Sequence, residues 1–108
     1  MQLDLRVLVD GYEKKTYTAE TFDLSVGVID DICTAIDIDT IDITNHADLG
    51  ARIIKARGQV FAILHDIFGA NEDEIRTVKV SNIVEIVKTV YKYMSEVLGM
   101  LPKGDEKN

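Results

Sequence analysis

The segment "SNIVEIVKTVYKYMSEVLGML" (residues 81–101) constrains the fold more than any other stretch of this chain. At about 100° per residue, Ile83, Val87, Val90, Met94, Val97 and Leu101 form the centre of one helical stripe. Val84, Tyr91 and Leu98 flank it on one side, and Ile86, Tyr93 and Met100 on the other. The apolar arc spans roughly 200°, about twice the width typical of a surface helix. Glu85, Lys88, Thr89, Lys92, Ser95 and Glu96 fill the rest. One neighbour cannot cover such an arc. Either this is the central helix, covered on two sides, or one flank, Tyr93 and Met100 especially, meets another protein or a second copy. Tyrosine and methionine suit a surface that adapts to a partner. The candidate partner-binding residues on this helix are therefore Tyr93, Met94, Val97, Met100 and Leu101. Ser81 is expected to cap the helix, with Pro102 following its end. Residues 102–108, "PKGDEKN", have nothing to bury and are expected to form a flexible tail.

Something must cover that helix, and the N-terminus offers a sheet. "LDLRVLVD" places Leu3, Leu5, Val7 and Val9 on one face at period two. Asp10-Gly11 is a strong hairpin-turn signal, because glycine accepts positive φ. Strands are expected over 2–9 and 14–19. A lone hairpin is marginal in water, so helices must cover its apolar face. A helix is expected over about 24–36, where Val28, Ile29, Ile32 and Ile36 share a face and Asp23 or Ser25 could cap the start. A long helix is expected over 46–68, with Asn45 as N-cap, Asp48 in the first turn and Gly69 as the stop. One short turn is expected around 72–77. The fold class is α+β and mainly helical: an N-terminal β-hairpin (2–19) packed on a bundle of about three to four helices, in a single domain over 1–101. The length of 108 residues suits one domain with a modest core.

The acidic stretch "IDIDTIDITNHAD" (residues 36–48) invites a metal reading, which fails on its spacing. With Asp37 at the first position of a calcium loop, Ile41 falls on a ligand position. Asp42 falls where glycine is needed, and Asp48 stands where a bidentate glutamate belongs. As a strand it loses phase at Thr40, which puts Ile41 and Ile43 on the opposite face from Ile36 and Ile38. It reads as a connector whose isoleucines tuck into the core and whose aspartates face water. His46 and His65 have no Cys or Glu at zinc-ligand spacing, and Cys33 lies in no nucleophile motif. No phosphate-binding glycine loop is present in the sequence. Neither a metal, a cofactor nor enzymatic activity is expected. The net charge of −7 argues against nucleic acid and against an anionic membrane surface as partners. A single cysteine, with neither a signal peptide nor a long apolar run, fits a soluble cytoplasmic protein. Arg57 falls among Ile53, Val60, Phe61 and Leu64 on the wheel of the 46–68 helix. It either reaches the rim to meet an aspartate or makes a charged contact at a partner surface.

The order of features resembles one family. "VDGYEKKTYT" (9–18) and "ILHDIFG" (63–69), set between an N-terminal strand and a C-terminal apolar helix, look like the small tail assembly chaperones of long-tailed bacteriophages, in the group from phages and prophages of Gram-positive bacteria. The resemblance is diffuse and spans most of the chain. It departs at Asp30 and Asp31, where many relatives carry Arg or Lys. It implies a non-enzymatic protein of the host bacterial cytoplasm. Such a protein binds the tape measure protein, assists tail tube protein assembly around it and is not retained in the virion. It also implies a longer frameshifted form in many members, and Glu106-Lys107-Asn108 is compatible with a slippery heptamer. Self-association fits the wide apolar arc. The alternative function is a structural head–tail connector or tail completion protein of a phage.

Overall fold

The computed structural model describes residues 1–99. Met100, Leu101 and the expected tail 102–108 lie outside the described residues.

Strand β1 (Gln2–Val9) pairs antiparallel with β2 (Tyr12–Glu20). The two-residue turn has positive φ at both Asp10 (54°) and Gly11 (82°), the geometry that matches the twist of a hairpin. β2 starts two residues earlier than its weak alternation suggested, because Tyr12 and Glu13 pair with Val9 and Leu8. The register then shifts: Val7 pairs with Lys15, leaving Lys14 as an extra, bulged residue. Leu3, Leu5 and Val7 are buried together, as their period-two spacing required, but Val9, expected on the same face, is 50% exposed next to the turn.

Five helices follow among the described residues. After a 3-10 turn at Thr21–Asp23, α1 runs over Val26–Ile36. Ser25 caps it, its hydroxyl oxygen accepting from the Val28 N–H at 3.1 Å. α2 covers His46–Lys55, with Asn45 accepting from the Asp48 N–H at 3.0 Å. α3 covers Arg57–Phe68 and stops at Gly69, whose φ is 76°. α4 is one turn, Glu72–Ile75, closed by a reciprocal capping box between Asn71 and Glu74. α5 covers Val80–Glu96.

Two expectations are corrected here. The 46–68 helix is divided at Ala56 (φ −102°, ψ 24°). The apolar stripe runs on through the break, so periodicity could not reveal it. The bend lets α2 lie against α5 while α3 lies against α1. Gly58 was its one sequence mark. Second, Ser81 is not the cap of the last helix. Lys79 holds that position with no side-chain bond, and Ser81 sits in the first turn.

α5 is the central helix. Ile83, Val84, Ile86, Val87, Val90, Tyr93 and Met94 are all buried on it, between β1 on one side and α2 on another. The excess width of its apolar arc is thus used largely inside the fold.

Three side chains replace missing backbone partners and fix this packing. Buried Asn82 on α5 accepts from the Arg6 N–H at 2.8 Å and donates to the Asp4 carbonyl at 2.8 Å. It thereby binds the outer edge of β1. Thr77, between α4 and α5, accepts from the Leu8 N–H at 3.0 Å on the same edge. Arg52 on α2 does the equivalent for the acidic connector. Its guanidinium donates to the carbonyls of Ile36 (2.7 Å), Asp37 (3.0 Å) and Thr40 (3.2 Å), and to the Thr40 hydroxyl (2.9 Å). Asp48 accepts from its Nε at 3.0 Å. The Ile36 and Asp37 carbonyls lie at the C-terminus of α1, where a cation is also favoured by the helix dipole, and the Asp37 carbonyl accepts from the Thr40 N–H as well. Ile38, Ile41 and Ile43 are half-buried against the core, and Asp37, Asp39 and Asp42 are exposed. The stretch is a connector.

Candidate interaction surface

Tyr93 and Met94 are only 6% and 5% exposed, so the fold consumes two of the residues expected to face a partner. Tyr93 lies on the flank of the stripe that the sequence left without a neighbour, and the fold supplies one. Val97 is 60% exposed and Leu98 43%, just past the end of α5 and before Gly99 (φ 69°). These two lie beyond the reach of the covering elements. Met100 and Leu101, also expected at a partner surface, fall outside the described residues.

Arg57 is exposed, and its guanidinium donates to the Ile54 carbonyl at 3.1 Å rather than to an aspartate. The break at Ala56 removes it from the apolar stripe into which a continuous helix would have forced it. Its bond serves a carbonyl in the last turn of α2. Arg57 and Arg76 flank half-buried Phe61 in an open groove of about 450 Å³, with Glu72 on the rim. A second groove on α3, about 430 Å³, runs along α1 and carries Asp30, Asp31 and Asp66. α3 therefore separates a basic groove from an acidic one.

Further strongly exposed large hydrophobic side chains lie at the entry to α1, and Tyr12 beside the hairpin turn is 79% exposed as well. Phe22 is 79% exposed and Val26 86%. Phe22 sits in the 3-10 turn, where no helical or strand period applies, so pattern reading missed it. Val26 occupies the first position of α1, off the face that buries Ile32 and Ile36. The cue available was its place directly after the Ser25 cap.

Burial pushes the Cys33 thiol up, with Asp30 and Asp39 adding to the effect, and its Sγ lies 3.9 Å from Met94 Sδ. A raised thiol is a weaker nucleophile at neutral pH. His46 Nε2 is 3.0 Å from Lys88 Nζ, and His65 Nδ1 is 2.9 Å from the Ala70 carbonyl oxygen. Among the described residues, no group of three or more His, Cys, Asp or Glu side chains is placed to hold a metal ion. No helix among them is long and apolar enough to cross a membrane.

Comparison with protein-family models, with curated proteins and with solved structures finds no match for this chain.

Proposed function

We propose that this protein is a non-enzymatic assembly chaperone of a long-tailed phage. In this reading it binds the tape measure protein in the host cytoplasm, assists assembly of tail tube protein around it and leaves before the virion is complete. The observation that carries the reading is the set of exposed apolar side chains, Phe22 and Val26 at one site and Val97 and Leu98 at another, on a chain of net charge −7. Apolar side chains of this kind can cover the stripe of a long amphipathic helix. The acidity would keep such a complex soluble through mutual repulsion. Val97 and Arg57 belong to the proposed surface, and Met100 and Leu101 continue it in sequence. Tyr93 and Met94 do not belong to it.

The test is co-expression with the tape measure protein of the same phage. The wild-type chain should hold the tape measure protein in the soluble fraction. A Phe22→Ser/Val26→Ser variant with unchanged circular dichroism should lose that effect. Recovery of the chain in near-stoichiometric amount from purified virions would overturn the reading in favour of a connector or tail completion protein.

A further inference from the structure

The hairpin has two outer edges, and only one is closed. The Asp4 carbonyl and the Arg6 and Leu8 N–H groups point away from β2, since Asn82 and Thr77 bind them from outside the sheet. Backbone groups alternate sides along a strand. Leu3, Leu5 and Val7 therefore face β2, where they oppose Ala19, Tyr17 and Lys15. It follows that the N–H and C=O groups of Thr16, Thr18 and Glu20 point outward from the far edge of β2. Those three residues are exposed. No backbone bond joins Thr16 or Thr18 to a described residue other than through the hairpin ladder.

An edge of this length is a template for another strand unless something blunts it. β2 has nine residues and no proline. Its bulge and its adjacent lysines, Lys14 and Lys15, all lie at the turn end. The run Thr16–Tyr17–Thr18–Ala19–Glu20 carries none of these blocking devices.

We propose that this edge is an interface between two copies of the chain, β2 pairing antiparallel with β2 of a second copy about a two-fold axis to give a four-stranded sheet. The occupant is set by charge. Antiparallel self-pairing with Tyr17 opposite Tyr17 brings the bulged Lys14 of each copy level with Glu20 of the other, whose carboxylate also meets the Met1 ammonium of its own copy through one oxygen. It also sets Thr16 opposite Thr18 twice, in hydrogen-bonded pairs. Threonine pairs and opposite charges both favour cross-strand pairing. Parallel self-pairing in register would instead stack lysine on lysine. A closed two-fold contact also uses up both open edges, so association stops at the dimer. The proposal stands independently of the chaperone reading.

The experiment is a concentration series of the full chain by light scattering, with residue-resolved amide exchange at each end of the series. The wild-type mass should double at high concentration. The Thr16 and Thr18 N–H groups should gain protection there while that of Tyr17 is protected throughout. Thr18→Pro removes an outward N–H and leaves the hairpin ladder intact, so it should stay monomeric with an unchanged far-ultraviolet spectrum. Lys14→Glu, which sets glutamate beside glutamate, should weaken the dimer about tenfold or more. It keeps the test decisive if the proline variant misfolds. A wild-type chain that remains monomeric at its solubility limit overturns the proposal. So does a dimer that survives both substitutions, or one lost instead on Val97→Ser/Leu98→Ser.

Discussion

The two outer edges of the hairpin receive opposite treatment. On β1, Asn82 and Thr77 occupy the outward backbone groups, so the strand is fastened to α5 and to the α4–α5 link. On β2, the outward groups of Thr16 and Thr18 make no backbone hydrogen bond to a described residue. The difference teaches that a two-stranded sheet need not be closed symmetrically. One polar side chain, on a helix already held by its apolar face, anchors a strand as a third strand would. It does so for one edge only.

The sharpest way to break this contrast is at Asn82. It is 6% exposed and serves two backbone groups at once. Asn82→Leu keeps the branched shape in a somewhat larger side chain but leaves an N–H and a carbonyl without partners, a loss of about 3 kcal/mol in urea unfolding. Thr18→Ala on the open edge should cost under about 0.5 kcal/mol, as surface substitutions do. Equal losses at the two positions would mean that the edges are not distinct.

The next largest effect is expected at Arg52, which seals irregular backbone as Asn82 seals a strand edge. Its five donors are nearly all used, on three carbonyls, a hydroxyl and Asp48. Lysine keeps the charge but cannot reproduce the planar fork. Arg52→Lys should therefore cost about 2 kcal/mol by thermal or urea unfolding, and amide exchange should quicken across residues 37–44. An unchanged midpoint would show the connector to be held by Ile38, Ile41 and Ile43 alone.

These two residues mark what could and could not be read from the chain itself. The hairpin, its Asp10-Gly11 turn and the Asn45 cap follow from local rules of period and φ, whereas those rules left Ser25 beside Asp23 as a cap and the central place of α5 as one of two readings. The connector was also legible, because Thr40 breaks the alternation of its isoleucines. Asn82 and Arg52 were not, because each bonds across a sequence gap that no local pattern encodes. In sequence, Asn82 is one more polar residue near a helix start. The break at Ala56 was hidden by a stripe that continues through it, and that concealment led to the misplacement of Arg57. Two of the six residues expected at a partner surface, Tyr93 and Met94, are buried instead. Wheel geometry gives the width of an apolar arc, but only tertiary packing decides that Tyr93 falls inside it and Val97 beyond it.

Thr77 gives a smaller, graded test of the sealed edge. Its bond to the Leu8 N–H is solvent-exposed, so water can replace it. Thr77→Val should cost about 1 kcal/mol or less, a fraction of the Asn82 effect. A larger loss would point to its second bond, hydroxyl to the Glu74 carbonyl at 2.7 Å, as the one that matters.

The smallest effect is expected where β2 does have an anchor, on its inner face. Glu74 accepts from the Tyr17 hydroxyl at 2.8 Å and from the Asn71 N–H at 3.1 Å, with Lys15 at 3.9 Å. The Tyr17 hydroxyl, then the Asn71 backbone and finally the charge of Lys15 hold its carboxyl below the usual glutamate range. The folded state thus binds this proton less readily than the unfolded chain does. Its contribution to stability is complete at neutral pH and is lost as the pH falls through the lowered value. Thermal midpoints taken from neutral pH down to about pH 3 should therefore decline less steeply in Tyr17→Phe than in the wild type. Glu74→Gln should flatten the same acid limb while lowering the neutral midpoint. If Tyr17→Phe leaves the acid limb as steep as before, the carboxylate is held by its own capping box. β2 then carries no polar anchor on either side, and the contrast between the two edges extends to the whole strand.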